Sequence, residues 1–382
     1  MNRRQLFSSS GAAAVALATG PTREPASAAP PKRALMKVGT GAPPDDARLQ
    51  AVARYGIKNI VSSAQIAGGR LYATVDELKR MRDVAEKNGI SVDVLTPPFL
   101  SSTHIDVEKH PAIMLADSPQ RDRDIESLQT MIKNCAAVGV PCIKYNMNLL
   151  GVLRSSRGVF KGRGDTTYNV FNLQDALARG ATVRQPVPDS ERHPDPPLTR
   201  AGRVTADMFW ERITYFLERV IPVAEEYKVR MACHPHDPSV PPEGYQGVVC
   251  VLGTVDGLRK FVSIKESPYH GLNFCQGTVS EMLEDPGKEI FDVIRYFGFR
   301  KKIFNVHFRN IRGHRYNFME VGIDEGDVDQ FQAMQVYKEV GYDGMMEFDH
   351  VVEAPNDPGG QQYASFCYGY IRALIQAVDQ MA

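Results

Sequence analysis

The sequence predicts an α/β protein of the (β/α)₈ barrel class (a TIM barrel), with a long insertion after the fourth strand. Three observations lead there. Beyond residue 30, eight short β-like runs alternate strictly with eight helical stretches, the rhythm of parallel strands joined by helical crossovers. The last four runs each deliver a group able to bind a metal: His234, Cys275, His307 and Asp349. A barrel gathers the carboxyl ends of its strands at one mouth, so these four would converge although they lie far apart in sequence. The third observation concerns the alternative, an open doubly wound sheet. That fold wants a glycine-rich phosphate turn after its first strand, and Gly39-Thr40-Gly41-Ala42-Pro43-Pro44 lacks the G-x-G-x-x-G spacing.

The elements follow in order. A strand over 35–39 precedes Pro43-Pro44-Asp45-Asp46 and a helix reaching Tyr55. A second strand covers 58–62. Its helix opens at Thr74-Val75-Asp76-Glu77, where Thr74 and Glu77 have capping-box spacing, and stops at Asn88-Gly89. The third strand is 90–95, followed by an amphipathic helix over 119–138. The fourth, 140–145, ends in Lys144-Tyr145-Asn146. Residues 147–205 then lose periodicity and are rich in Arg, Gly, Asp and Pro. So long a loop in a compact domain is usually functional, and we read it as a lid over the carboxyl face or a contact in a homo-oligomer. Alternation resumes with a helix over 205–227 and a strand over 229–233 that reaches His234. Strands at 271–274, 302–306 and 344–348 reach Cys275, His307 and Asp349, with helices near 254–264, 286–297 and 328–340 before them and a last one over 361–378.

Residues 1–30 stand apart. Arg3-Arg4 precedes a small, weakly apolar stretch over 11–18, and Ala26-Ser27-Ala28 offers an Ala-x-Ala cleavage site. This is the pattern of a twin-arginine export signal. It places the protein in the periplasm, or in the cytoplasm if the signal is not used. The remainder, 31–382, reads as one barrel domain. No later run approaches the ~18 apolar residues that span a membrane. The 45 basic residues balance 45 acidic ones, which removes the electrostatic argument for a nucleic-acid partner. The six cysteines lack close paired spacing, and a disulfide scaffold does not suit a chain of this size.

Two imidazoles, a thiolate and a carboxylate suit one borderline divalent ion, Mn²⁺, Fe²⁺, Co²⁺ or Zn²⁺. Taken singly, each residue has a plainer role: a bonded structural His, a core Cys, an Asp that caps a helix. Their occurrence at four consecutive strand ends is what argues for a metal. Around them stand candidate substrate contacts. Arg309 could grip a carboxylate in a two-pronged bond. Lys144 and Asn146 end the fourth strand. His236 lies just beyond His234, across Pro235. Glu320 belongs to an acidic loop that also holds Asp327 and Asp329, and those two we read as helix caps. His104, His110, His193, His270 and His314 have no comparable context and read as surface groups.

Four motifs together resemble the mannonate dehydratase family: Arg230-Met231-Ala232-Cys233-His234-Pro235-His236-Asp237-Pro238, preceded by Ile221-Pro222-Val223-Ala224-Glu225-Glu226; Gly271-Leu272-Asn273-Phe274-Cys275-Gln276-Gly277-Thr278; His307-Phe308-Arg309-Asn310; and Gly326-Asp327-Val328-Asp329 with Asp349-His350. The resemblance runs from roughly 208 to 350. It implies a metal-dependent, xylose-isomerase-like barrel that converts D-mannonate to 2-dehydro-3-deoxy-D-gluconate and water with Mn²⁺ or Fe²⁺. It carries the metal ligands onto His234, Cys275, His307 and Asp349, and the catalytic pair onto His350 and Tyr363, leaving open which is base and which is acid. The chain departs from the family pattern at His236, Ser239, Ile323 and Phe348 and through Gly360-Gln361-Gln362-Tyr363-Ala364-Ser365. An export signal is also unusual for an enzyme of uronate breakdown. Two other readings share these features: a divalent-metal sugar isomerase or epimerase on the same barrel, and a non-catalytic periplasmic sugar-binding protein.

Overall fold

A computed structural model describes residues 33–181, 198–350 and 352–381. The export-signal residues and part of the insertion lie outside them. Eight parallel strands close a barrel: β1 (Lys37–Gly41), β2 (Asn59–Ser62), β3 (Ser91–Leu95), β4 (Cys142–Asn146), β7 (Arg230–His234), β8 (His270–Cys275), β9 (Ile303–His307) and β12 (Met345–Glu347), each paired with its sequence neighbour in the ring. The remaining strands, β5 (Ser156–Lys161), β6 (Thr167–Asn172), β10 (Ile311–His314) and β11 (Asn317–Glu320), form a separate antiparallel sheet in the order β10-β11-β6-β5.

Helices fill the crossovers: α1 (Asp46–Ala53), α2 (Val75–Lys87), α3 (Ala112–Leu115), α4 (Gln120–Val138), α5 (Leu173–Arg179), α6 (Ala206–Tyr227), α7 (Val255–Ser263), α8 (Gln276–Ser280), α9 (Pro286–Phe299), α10 (Gln330–Glu339) and α11 (Gln361–Asp379). The Thr74–Glu77 capping box forms as expected: the Thr74 side chain accepts from the Glu77 N–H, and the Glu77 carboxylate accepts from the Thr74 N–H. None of the described helices is long and apolar enough to cross a membrane.

Alternation along the strands, broken by register shifts between β2 and β3 and between β8 and β9, layers the barrel interior. At the bottom Val61, Val94, Cys142, Ala232, Phe304 and Met345 form an apolar plug, one side chain from each of six strands. Above it comes a polar layer of Lys144, Asn273, Asn305 and Glu347. The Asn305 amide donates to Asn273 Oδ1 (2.6 Å) and to Glu347 Oε1 (3.0 Å), and Lys144 Nζ lies 3.6 Å from that same oxygen. Two residues further along each strand is the rim. Gly39 serves the bottom layer by absence, since a Cβ there would lie 2.0 Å from Met345 Sδ.

Three expectations need correction. The first strand starts at Lys37, where pairing with Met345 begins, and leaves Leu35 half exposed. The 147–205 stretch is not an aperiodic loop: β5, β6 and α5 lie in it, and β6 pairs with β11, which the sequence placed in an acidic loop. Two of the histidines assigned to the surface, His104 and His270, are buried. His270 Nε2 bonds the Phe261 carbonyl (2.8 Å), with its ring edge-on to that phenyl.

Candidate metal centre and active-site cleft

The rim layer brings the four expected ligands together. His234, Cys275, His307 and Asp349 each offer one donor atom, and these atoms all lie within 4.8 Å of one another. Register explains the convergence: Cys275 pairs with His307 across β8 and β9, and Glu347 pairs with His307 across β9 and β12. Asp349 is two residues past Glu347, so it keeps the inward face although the ladder has ended.

Surrounding groups fix which atoms face inward. His234 Nδ1 is 2.6 Å from the Pro235 carbonyl. A carbonyl only accepts, so Nδ1 carries the proton and Nε2 is left with its lone pair. The other imidazole is held from behind, with His307 Nε2 against Asn273 Nδ2 (3.1 Å), Lys144 Nζ (3.2 Å) and Glu347 Oε1 (3.4 Å). Its buried Nδ1 sits 3.1 Å from Asp349 Oδ2 without a well-directed hydrogen bond. Burial works against ionising Cys275, but the Arg309 guanidinium and the two imidazoles hold its thiol well below the usual range. Burial also opposes the Asp349 charge, and His307 and His350 more than offset it. Two imidazole nitrogens, a thiolate and a carboxylate, one of them a buried nitrogen lacking a partner, fit a divalent ion.

Beside this cluster opens a cleft of about 300 Å³ whose walls include Lys144, Asn146, His234, His307, Asp349 and His350, with Thr96, Pro97 and residues 100–102 also lining it. Lys144 and Asn146 thus stand where a substrate would meet them. His350 reaches the cleft with 29% of its side chain exposed. Its Nδ1 bonds Glu320 Oε1, and its Nε2 lies 3.6 Å from Asp349 Oδ2. Burial disfavours its charge, yet Glu320 and Asp349 lift its pKa above the imidazole range.

Three other expected substrate contacts, and Tyr363 of the expected catalytic pair, do not line this cleft. Arg309 is 4% exposed and grips carboxylates as its chemistry suggests, but they belong to the protein: Glu320, Asp237 (3.0 Å) and Glu281 (2.8 Å). Gly277 permits this packing, since a Cβ there would sit 2.6 Å from Arg309 Nε. Glu320 is itself buried in that network. His236 turns away to the Met147 carbonyl (2.7 Å) and packs near Phe209, because Pro235 ends the strand's alternation. Tyr363 accepts the Ile323 N–H at its hydroxyl (2.9 Å) and lies near Phe348, anchoring the acidic loop rather than lining the cleft.

Sequence reasoning missed Arg154, Asp237, Glu281 and Glu347. Arg154 is fully buried and bonds Asp237 Oδ1 (2.6 Å) and Glu320. Glu347 was legible, since Met345, Glu347 and Asp349 share one face by alternation. Nothing local marks Arg154.

Comparison with known proteins agrees with this architecture. The chain is 26% identical over 351 residues to the mannonate dehydratase of Thermotoga petrophila, covering 85% of this chain and 92% of that one. It is 28% identical over 294 residues to the mannonate dehydratase of Shouchella clausii, covering 72% and 76%. In fold it is similar to the crystal structure of mannonate dehydratase from Streptococcus suis serotype 2 (TM-score 0.73, 20% identity, 90% and 95% covered), and more loosely to D-psicose 3-epimerase from Clostridium cellulolyticum H10 (TM-score 0.53, 13% identity, 89% and 99% covered). The family model described as D-mannonate dehydratase (UxuA) matches residues 37–382, the barrel and the site together, and this chain belongs to the D-mannonate dehydratase family of sugar-acid hydro-lyases.

Proposed function

We propose that the chain dehydrates D-mannonate to 2-dehydro-3-deoxy-D-gluconate at one divalent ion, Mn²⁺ or Fe²⁺, held by His234, Cys275, His307 and Asp349. The observation that carries this reading is the convergence of four donor atoms within 4.8 Å at the barrel mouth, beside an imidazole that opens on the cleft. The ion, when bound, supplies positive charge where the substrate carboxylate gains electron density as the C2 proton leaves. The chain's own groups do the rest. Lys144 and Asn146 take substrate oxygens at the cleft wall. His350 moves the proton at Nε2, the ring nitrogen not committed to Glu320. The proton removed from C2 leaves with the C3 hydroxyl as water, and the enol that remains tautomerises to the 2-keto acid.

The test is metal analysis of the purified protein followed by a panel of aldonates scored for 2-keto-3-deoxy product. The expected result is one ion per chain and product from D-mannonate. A wild-type protein that holds the ion and interconverts sugars without making a keto-deoxy acid would favour an isomerase or epimerase. His350→Asn should keep its metal and lose turnover by orders of magnitude; full activity removes His350 from the reaction. We further propose export through the twin-arginine-type leader, on the evidence of residues 1–30. Cell fractionation of the Arg3→Lys, Arg4→Lys double variant tests it, with periplasmic accumulation expected to stop.

A further inference from the structure

We infer that Glu320 is a positioning residue for His350, and that the insertion after β4 supplies the seat that holds Glu320 in place. The inference rests on the proposed role of His350 and goes beyond it.

The geometry is a four-way convergence on one carboxylate. Oε1 of Glu320 accepts from Arg154 Nη2, Arg309 Nη1 and His350 Nδ1, and Oε2 accepts from Asn169 Nδ2 (3.1 Å). Glu320 is 4% exposed. Its donors come from three places. Arg154 and Asn169 belong to the insertion, Arg309 follows β9, and His350 follows β12. The backbone is fixed in the same way: β11, which ends at Glu320, pairs with β6 of the insertion, with Phe318 opposite Phe171 and Met319 opposite Val170. The insertion therefore contributes two side-chain bonds and a strand ladder to one catalytic orientation.

The consequence for His350 is specific. An ionised carboxylate only accepts, so Nδ1 must carry a proton and the ring cannot turn over without breaking that bond. Nε2 is then the nitrogen presented toward Asp349 and the cleft. Arg154 and Arg309 keep Glu320 charged against its burial. A second metal at Asp237, Glu320 and His350, whose donor atoms also lie within 4.8 Å of one another, is disfavoured by the same observation. Arg154 and Arg309 already occupy those carboxylates, and a cation there would face both.

The test is Glu320→Gln in the metal-loaded enzyme. A positioning role predicts kcat lower by 10-fold to about 10⁴-fold, the upper end being the loss seen when an orienting carboxylate behind a catalytic imidazole is neutralised. KM and bound metal should stay at parental values. In a His350→Asn background the same change should cost nothing further, because the two residues act as one unit. Unchanged kcat, or a loss of equal size in both backgrounds, overturns the inference. If Glu320→Gln does not fold, Glu320→Asp keeps the charge and retracts it by one methylene. Its kcat should fall with metal retained, and parental kcat in that variant is equally fatal. An arm independent of turnover uses proton NMR of ¹⁵N-histidine-labelled, metal-free protein. A low-field Nδ1 proton resonance should be present in the parent and lost in both His350→Asn and Glu320→Ala, which leaves no acceptor behind the ring. Its survival in Glu320→Ala overturns the inference. Its loss in a protein that yields no keto-deoxy acid leaves the positioning intact and rejects the proposed reaction.

Discussion

Glu347 sits one layer beneath the proposed metal and touches no substrate, so Glu347→Gln tests whether the polar layer orders the ligands. The carboxylate has three neighbours: Asn305 (3.0 Å), His307 Nε2 (3.4 Å) and Lys144 (3.6 Å). Glutamine keeps the volume and one acceptor, so the Asn305 bond can persist and the layer stays filled. What disappears is the negative charge behind His307 and the counter-ion of Lys144. Groups that orient a ligating imidazole typically contribute 10- to 100-fold in metal affinity, about 1.4–2.8 kcal/mol. The assay is chelator competition for Mn²⁺ on the purified apo protein, with urea unfolding as a control. Weaker binding by that factor with an unchanged urea midpoint is expected. An unchanged metal affinity would refute the view that this layer fixes His307.

Two further outcomes follow from the buried and capping charges. Arg154→Met removes a fully buried guanidinium from Asp237, Glu320 and Glu281 and leaves these buried acids under-compensated; it should cost about 3–5 kcal/mol, read as a lower urea midpoint at constant m, and a loss below about 1 kcal/mol contradicts the assignment. At α2, hydrogen bonds from the Thr74 and Ala67 N–H groups and Arg70 lower Glu77 to about 2 despite its burial. Its folded pKa lies below its unfolded one, so its contribution is complete above pH 4.5 and fades as pH falls from 4.5 through 2. Glu77→Gln should therefore be less stable by about 1 kcal/mol at neutral pH, with the gap closing across that window; a gap that persists to pH 2 would exclude the linkage.

The barrel and the four side chains gathered at its rim were legible because both follow from local period. Alternation within each strand decides which side chains point inward, and a strand's end decides which of them reach the mouth. That is enough to place His234, Cys275, His307 and Asp349. Partners are another matter. Arg309 was expected to grip a substrate carboxylate; the carboxylates it meets are the protein's own Asp237 and Glu320, which only the closed fold brings beside it. The same limit hid the strands of the insertion. β6 pairs on one edge with its neighbour β5, but on the other with β11 from beyond β9, which no neighbouring sequence announces. Tyr363 was placed by motif spacing on a helix, whose turn directs its hydroxyl to Ile323. His270 looked exposed because its acceptor, the Phe261 carbonyl, belongs to a different element.

The layered barrel interior divides labour by height. Its apolar floor joins six strands, its middle storey orients His307 and lends Lys144 to the cleft, and its rim meets the cleft directly. Residues around the rim can therefore vary without loosening the floor or the four side chains that converge there. Phe348, which lies outside the inward-facing series between Glu347 and Asp349, can differ from the family pattern while both acids keep their places. A scaffold stacked in this way can exchange one sugar acid for another from the top down, with the metal seat left standing.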